Sequence, residues 1–346
     1  MLNYAIVVAT RNRLTMLKAS LPLFLAQTRL PSRIVVVDRS DDHDPVRAYC
    51  EELATLTNVS IEVIYGEVAN SSAQRNQGLA SVTEPVVAFP DDDSFWFPDT
   101  AAELMAVYES DTGLRFGAVS ATESKLSPVR SPLDRASGKP PMKDGVRFSR
   151  WRNRIESIFV PQPFNMFGAE RIAELAADAR ADGLNYPLVE TIGGYLMSFR
   201  TDVASSLLFD ELLGSRIGYA THEDKDLSLR VLASGALIAA APRALVFHNV
   251  APGKRANGFD YGFFHVLNYA YIAQKVFPTT RALAGLKRYL RYKLFLYSLR
   301  RSDEYVMDIH RGAAAAFKGL DAVLSAPRDR LAAAYDEVCD MHRAKI

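Results

Sequence analysis

The chain has 346 residues, and its 41 Lys plus Arg against 40 Asp plus Glu give a formal net charge of +1. A charge so close to zero excludes the strong positive field that attracts nucleic acid, so we expect no nucleic-acid partner. Hydrophobic residues make up 49% and charged residues 23%, which excludes a disordered chain and predicts a globular protein with a substantial core.

The two cysteines, Cys50 and Cys339, are far apart in the chain and predict neither a disulfide framework nor a structural zinc site. Residues 1–13 do not follow the pattern of a signal peptide, and no apolar run approaches the ~20 residues of a membrane span. We therefore expect a cytoplasmic protein without a transmembrane helix.

The first hundred residues alternate between short apolar runs and segments with helical spacing. The runs predict strands at 4–9, 34–38, 60–65 and 86–89, and the segments between them predict helices at 14–28, 44–56 and 71–81. Pro22 is expected to kink the first helix or to end it early. The alternation predicts an α/β fold with a doubly wound, nucleotide-binding half.

The position of the first glycine limits which kinds of nucleotide-binding loop can follow the first strand. The first glycine in the chain is Gly66. A Rossmann turn and a Walker P-loop both need glycines directly after the first strand, where bare backbone approaches phosphate. Both kinds of phosphate loop are therefore excluded at that position.

The later part of the chain is expected to hold a long basic loop and a helical extension. Residues 123–154 carry nine Lys or Arg and three acids without a clear period, which is typical of a functional loop. From Phe259 onward the pattern is mainly helical, and residues 261–302 contain eight Lys or Arg and no acid. We expect a first domain over 1–255, made of a nucleotide-binding half (1–100) and an acceptor half (101–255), followed by a helical extension over 256–346.

Three consecutive carboxylates, Asp91, Asp92 and Asp93, follow the strand predicted at 86–89. Open α/β sheets bind ligands at this edge, and adjacent carboxylates repel one another unless a cation neutralises them. Such ligands suit Mg²⁺ or Mn²⁺ held together with a diphosphate. The alternative is an exposed acidic turn that caps the next helix.

The choice between a metal site and an acidic turn depends on six segments that follow one another along the chain. They are TRNR, VVVDRSDD, SAQRNQGL, FPDDDSFW, GGYLMSFR and THEDKDLSLRVLASG. Together, over about residues 4–250, they resemble the family 2 glycosyltransferases, which have a GT-A fold with a mixed sheet and invert the anomeric centre. The resemblance implies a nucleotide-sugar donor and a divalent metal.

The resemblance also implies roles for individual residues. The residues that would bind the donor are Thr10, Arg13, Asp38, Arg75, Asn76, Asp91 and Asp92. The metal ligands would be Asp93, Asp91 and His248, and Lys254 and Arg255 would close over the diphosphate. The acceptor would lie against Gly193 and Gly194, and Trp151 in the basic loop is a further acceptor candidate.

Asp224 is assigned as the catalytic base, with Glu223 orienting the acceptor or the base. Asp226 is expected to face away from Asp224 and to serve only solvation. From the residues alone, each role has a structural alternative. Asp38 could cap the next turn, Arg75 could form a surface ion pair, Asp224 could complement a helix N-terminus, and His248 could be structural.

The sequence thus predicts a metal-dependent inverting glycosyltransferase that uses Mn²⁺ or Mg²⁺ and a UDP- or dTDP-type donor. Its acceptor would be a glycan or a lipid-linked glycan in surface polysaccharide synthesis, since the C-terminal part weakly resembles bacterial rhamnosyltransferases and related enzymes. The basic segment 261–302 would suit an anionic membrane surface at the inner face of the cell membrane. The alternative is a non-catalytic module that binds a nucleotide sugar or a glycan in an assembly complex.

Overall fold

The computed structural model describes residues 1–129, 166–167, 169–216, 220–249, 257–299 and 303–343. These residues form two compact units. The first unit is built from Met1–Pro128 and Met166–Gly253, and the helices from residue 258 onward belong to the second unit. The predicted domain boundary at residue 255 falls between described segments, so the division at that position stays a prediction.

The first unit begins with the predicted alternation of strands and helices. Its strands are β1 (Tyr4–Thr10), β2 (Arg33–Asp38), β3 (Ser60–Tyr65) and β4 (Val86–Phe89), and its helices are α1 (Leu14–Leu25), α2 (Asp44–Ala54) and α3 (Ser71–Leu79). Helix α1 continues past Pro22 and ends at Leu25, before the predicted end at residue 28.

The remaining elements of this unit complete the sheet and cover it. The strands are β5 (Ser94–Trp96), β6 (Phe116–Ser124), β7 (Met197–Arg200) and β8 (Leu237–His248). The helices are α4 (Thr100–Ser110), α5 (Ala169–Ala181), α6 (Thr201–Leu207) and α7 (Glu223–Ala233).

The eight strands found among the described residues form one mixed sheet in the order β3-β2-β1-β4-β7-β6-β8-β5. Strand β1 is parallel to both β2 and β4, and β2 is parallel to β3. Strand β7 runs antiparallel to both β4 and β6. The mixed α/β sheet predicted from the sequence is therefore confirmed. The carboxyl ends of β1, β2 and β4 lie at one edge, where an open sheet binds its ligands.

Alternate residues of the central strands enter two separate cores, one on each face of the sheet. Ile6 and Val8 pack with α1 and α4 residues on one face, and Val7 packs with Leu79 and Leu227 on the other. Burial on both faces explains why these strands are continuous apolar runs. It also fixes the register that aligns their carboxyl ends.

The second unit consists of α8 (Gly258–Val276), α9 (Thr280–Ser298), α10 (Glu304–Ser325) and α11 (Leu331–Arg343). Helices α8 and α10 approach so closely that a Cβ on Gly262 would lie 2.0 Å from the carbonyl oxygen of Ile309. A Cβ on Gly312 of α10 would likewise clash with the carbonyl oxygen of Phe259. Two glycines thus permit backbone contact between the helices. No described helix combines the length and the apolar character needed to cross a bilayer.

Candidate active site

The acidic motif lies between β4 and β5 at the carboxyl edge of the sheet. Asp92 and Asp93 are almost completely buried, whereas Asp91 keeps 31% exposure of its side chain. The Thr10 hydroxyl at the end of β1 donates a hydrogen bond of 2.7 Å to Asp92 Oδ2. The alternative of an exposed acidic turn is therefore wrong for two of the three carboxylates.

Arg13, from the loop between β1 and α1, pairs with both buried carboxylates. Its two terminal nitrogens lie 2.6 Å from Asp92 Oδ1 and 2.6 Å from Asp93 Oδ2. Burial raises the pKa of Asp92 to about 7, against the opposing effects of Arg13 and Thr10. Asp93 is also buried, but the hydrogen bond from His248 and the charge of Arg13 outweigh that burial and lower its pKa to about 2.

Asp91, Asp93 and His248 form the candidate metal centre, and their ligand atoms lie within 4.8 Å of one another. His248 ends β8, and its Nε2 is 3.2 Å from Asp93 Oδ1. Two carboxylates suit Mn²⁺ or Mg²⁺, and an imidazole is a ligand of transition metals. The donor set therefore fits a divalent cation, as predicted from the sequence, although the ligand roles remain predictions.

Tyr195 is a residue at this centre that sequence reasoning missed. Its ring stacks on the His248 imidazole, with 4.3 Å between the ring centroids and 18° between the planes. It directly follows Gly193 and Gly194 in the chain, so an aromatic residue beside two candidate site residues was the available signal.

Arg75 connects the acidic motif to the start of α7. Its guanidinium lies 2.7 Å from Asp91 Oδ1 and 2.8 Å from Glu223 Oε1, and the side chain is only 4% exposed. This position is compatible with the predicted donor-binding role of Arg75, which stays a prediction. The alternative of an exposed surface ion pair is wrong, because both partners and Arg75 are largely shielded from water.

Glu223 and Asp224 form the first turn of α7, which follows His222 in the left-handed region at φ 69°. Burial and the neighbouring Glu223 charge raise the pKa of Asp224 to about 7, although the side chain keeps some contact with solvent. A carboxyl group with this pKa can take up a proton near neutral pH.

Gly193 and Gly194 precede β7, and a Cβ built on Gly194 would lie 3.8 Å from Asp224 Oδ2 and 3.9 Å from Glu223 Oε1. The absence of a side chain at Gly194 leaves the space beside both carboxylates open. Gly193 lies one residue further away, beside the Tyr195 ring. These positions are compatible with the predicted acceptor side, which stays a prediction.

Asp226 corrects an expectation, because it is completely buried and pairs with Arg230 at 2.6 Å. An i,i+4 ion pair inside α7 keeps it away from solvent. The expected role in solvation was therefore wrong.

Asp38 ends β2 and is completely buried. Its Oδ1 accepts hydrogen bonds from the Ser40 N–H at 3.0 Å and the Ser40 hydroxyl at 2.5 Å, and its Oδ2 lies 2.7 Å from His43 Nδ1. The carboxylate thus organises the loop after β2, as the turn-capping alternative expected. Direct contact with a nucleotide base has no support in this geometry and stays a prediction.

Asn76 points away from the acidic motif. Its amide nitrogen donates to the Phe209 carbonyl and to Glu211 Oε1, both at 2.9 Å, and its oxygen accepts from the Phe209 N–H at 2.8 Å. Arg75 and Asn76 were predicted to line one pocket, but the structure brings only Arg75 to the acidic motif.

Helix α3 supports this arrangement on several sides. Gln74 donates hydrogen bonds to the carbonyl oxygens of Thr10 and Val37, at 2.9 Å and 2.8 Å. Asn70 caps the helix and donates to the Glu211 carbonyl. The same short helix therefore fixes strand ends, the site arginine and the loop around 209–211. The predicted residues Lys254, Arg255 and Trp151 lie outside the described residues.

Comparison with known proteins bears on this site. Residues 5–164 match the family model for glycosyl transferase family 2. This segment belongs to the family 2 glycosyltransferases. The predicted family and the predicted glycosyltransferase class are confirmed by this match, which includes Asp91, Asp92 and Asp93 and ends before Asp224 and His248. No curated protein is significantly similar to the chain in sequence.

Solved glycosyltransferase structures share the fold. Residues 1–349 of S. aureus TarS, crystallised with UDP-GlcNAc, align with a TM-score of 0.52 at 14% identity, over 99% of this chain and 92% of that one. The mannosyltransferase PcManGT from Pyrobaculum calidifontis, in complex with GDP-Man and Mn²⁺, gives 0.52 at 16% identity, over 98% and 86%. At these identities the likeness establishes the fold alone, and it confirms the predicted GT-A type.

Proposed function

We propose that this protein is a metal-dependent inverting glycosyltransferase. It would transfer a sugar from a UDP- or dTDP-type donor to a glycan or lipid-linked acceptor in surface polysaccharide synthesis. The observation that carries the proposal is the pairing of Arg75 with both Asp91 and Glu223. This pairing supports a single site that contains the acidic motif and Asp224, the residue next to Glu223.

The donor side is formed by the end of β4 and the loop after β1. Asp91, Asp93 and His248 would hold Mn²⁺ or Mg²⁺, which neutralises diphosphate charge when bound. The complexes of TarS with UDP-GlcNAc and of PcManGT with GDP-Man and Mn²⁺ support a nucleotide sugar and a metal for this fold. Arg13 is partly exposed at this position and supplies a positive charge for the leaving diphosphate.

The acceptor side is formed by the start of α7 and the open space at Gly194. An acceptor hydroxyl there would attack the anomeric carbon of the donor while its proton passes to Asp224. The bond between that carbon and the diphosphate oxygen breaks in the same step, and its electron pair leaves with the nucleoside diphosphate. Attack opposite the leaving group inverts the anomeric centre. Arg75 holds Glu223 beside Asp224, so Glu223 can orient the base or the acceptor.

A donor screen followed by a turnover assay tests the proposal. Binding of UDP-, dTDP- and GDP-sugars would be measured by thermal shift with and without Mn²⁺, because a ligand of the folded state raises its stability. Donor hydrolysis or transfer would then be compared for the native protein and Asp224→Asn. Asp202→Asn is the matched control, since Asp202 is exposed on α6. A folded protein that neither binds nor turns over any of these donors would refute the proposal.

A further inference from the structure

His43 lies directly before α2 and faces the buried carboxylate of Asp38. The 2.7 Å contact joins its Nδ1 to Asp38 Oδ2, and the other carboxylate oxygen is occupied by two donors of Ser40. Because a carboxylate can only accept, Nδ1 carries the hydrogen of this bond. When the imidazole is neutral, this tautomer has a bare nitrogen at Nε2, which is a hydrogen-bond acceptor.

The His43 ring is held in place and remains accessible. The Tyr65 ring packs edge-on against it, with 5.1 Å between the ring centroids. Tyr65 is fixed in turn by Arg39, whose guanidinium lies 4.9 Å from the Tyr65 ring centroid. The His43 side chain is 20% exposed, and no hydrogen bond or ion pair to Nε2 occurs within the described part of the chain. In its neutral form the ring therefore offers a positioned acceptor at Nε2, to which no described residue donates.

This acceptor lies at the same sheet edge as the acidic motif. Asp38 is paired in register with Thr10, and the Thr10 hydroxyl donates to Asp92. The ends of β2 and β4 are separated by β1, which corresponds to about 10 Å at the usual strand spacing. A nucleoside diphosphate can span this distance, with its base near His43 and its phosphates near Asp93.

We propose that His43 recognises the base of the donor nucleotide through Nε2, and that Asp38 is a positioning residue that fixes the His43 ring. The inference rests on the proposed function, because it names the part of the nucleotide-sugar site that selects the base. Uracil and thymine carry a ring N–H at N3, and guanine carries one at N1. Cytosine and adenine present an unprotonated acceptor nitrogen at the corresponding positions, and two acceptors repel each other. The site therefore selects bases that have a ring N–H.

The test compares nucleotides that differ only in this hydrogen. UDP against N3-methyl-UDP, and GDP against N1-methyl-GDP, would be titrated by calorimetry with Mn²⁺ into the full-length protein. The variant His43→Asn keeps an amide N–H in the place of Nδ1 for Asp38 and removes the acceptor at Nε2. His310→Asn on α10 is the matched control, and thermal unfolding checks that each variant is folded.

In the native protein, methylation should weaken at least one pair by about 10-fold or more, the effect of one lost hydrogen bond and an obstructed acceptor. His43→Asn should bind the parent nucleotide more weakly and should lose this discrimination, whereas His310→Asn should keep it. Discrimination that survives in folded His43→Asn overturns the inference, and so does its absence in the native protein. Failure of the native protein to bind any of the four nucleotides would count against the proposed function itself.

Discussion

Arg75 Nη1 and Glu223 Oε1 lie 2.8 Å apart, although the two residues are 148 positions apart in the sequence. The other terminal nitrogen of Arg75 contacts Asp91 at 2.7 Å. One guanidinium thus joins the carboxyl end of β4 to the first turn of α7. A planar group with two separate donor edges can make both contacts, whereas an ammonium group cannot reproduce this geometry.

Replacement of Arg75 should therefore impair both turnover and stability. We expect Arg75→Lys to lower transfer about 10²-fold, because Glu223 and Asp91 are no longer held together. Arg75→Met should also destabilise the fold by about 3–5 kcal/mol, since it leaves largely shielded carboxylates without a counter-charge. Steady-state transfer rates and urea denaturation measure these effects. Arg171→Met, which breaks an exposed ion pair on α5, should change neither quantity appreciably.

The pH dependence of transfer should report the ionisation of Asp224. A general base acts when it is deprotonated, so kcat/KM should rise with pH through about 7, the pKa to which burial raises this carboxyl group. Asp224→Asn should lower transfer about 10²-fold or more and remove this rise, while donor affinity stays nearly unchanged. A rise that persists in the variant would assign the titration to another group.

The same raised pKa predicts an effect on stability. The folded state of the native protein binds the Asp224 proton more tightly than the unfolded state does, so stability falls as pH rises from about 4 to about 7. Asp224→Asn lacks this ionisation and should be more stable than the native protein at pH 8. At pH 4 the two should differ much less. Thermal unfolding at both pH values measures the difference, with Asp202→Asn as the control.

Asp93→Ala should weaken metal binding and nucleoside-diphosphate binding together. Removal of one carboxylate from Asp91, Asp93 and His248 takes away a hard ligand and leaves Arg13 without one of its partners. Calorimetric titration of UDP and dTDP with and without Mn²⁺ should show a reduced metal effect. Unchanged metal dependence in the folded variant would reduce Asp93 to a turn residue. Asp178→Ala, at an exposed position of α5, is the control.

Replacement of Asn76 can distinguish a structural role of this residue from a role in donor binding. Because its amide is bonded to Phe209 and Glu211, Asn76→Ala should lower the thermal stability and change the affinity for UDP by less than about twofold. A large loss of affinity with normal stability would instead support the donor-binding role that the family resemblance implies. Asn58→Ala, at an exposed loop position, should have little effect on either measurement.

Helix α9 presents an exposed row that suits a membrane surface. Arg288, Arg291 and Phe295 of α9 and Leu299 directly after it follow one another at intervals of three and four, and all four are exposed. Vesicles with anionic lipid should bind the protein, and binding should weaken with salt and in the triple variant Arg288→Gln, Arg291→Gln, Lys293→Gln. Arg47→Gln on α2 is the control. Equal recovery with neutral and anionic vesicles would leave α9 as an ordinary surface helix.

Strands β1, β2 and β4 were predictable from the sequence because burial on both faces produces continuous apolar runs. Strand β3 lies at the sheet edge and is only partly buried, and its β-branched residues were the signal. The predicted ends of these four strands differ from the observed ends by at most one residue. Strand β5 has only three residues, and the antiparallel position of β7 beside β4 depends on residues more than a hundred positions apart. Neither feature leaves a local pattern that could have been recognised.

The segments that form the candidate site could be predicted from the sequence. The direction in which each side chain points could not. Adjacent residues on a helix point about 100° apart, so Arg75 and Asn76 do not both face the acidic motif. Capping of the turn after β2 by Asp38 was foreseen as an alternative, but its partners were not, because the contacts of Asp38 depend on how Ser40 and His43 fold back onto it. Local polar contacts of this kind are determined by the folded loop and not by residue spacing.

Helix α3 has nine residues and holds strand ends, the site arginine and the 209–211 loop at once. Its main apolar contribution to the core is Leu79, and much of its hold on the site consists of individual polar contacts. Loosening of this helix therefore exposes less apolar surface than melting of the sheet does. Heating should therefore abolish activity at a lower temperature than the one at which the sheet melts. The working temperature of the protein would then be set by one short helix and not by the stability of the whole fold.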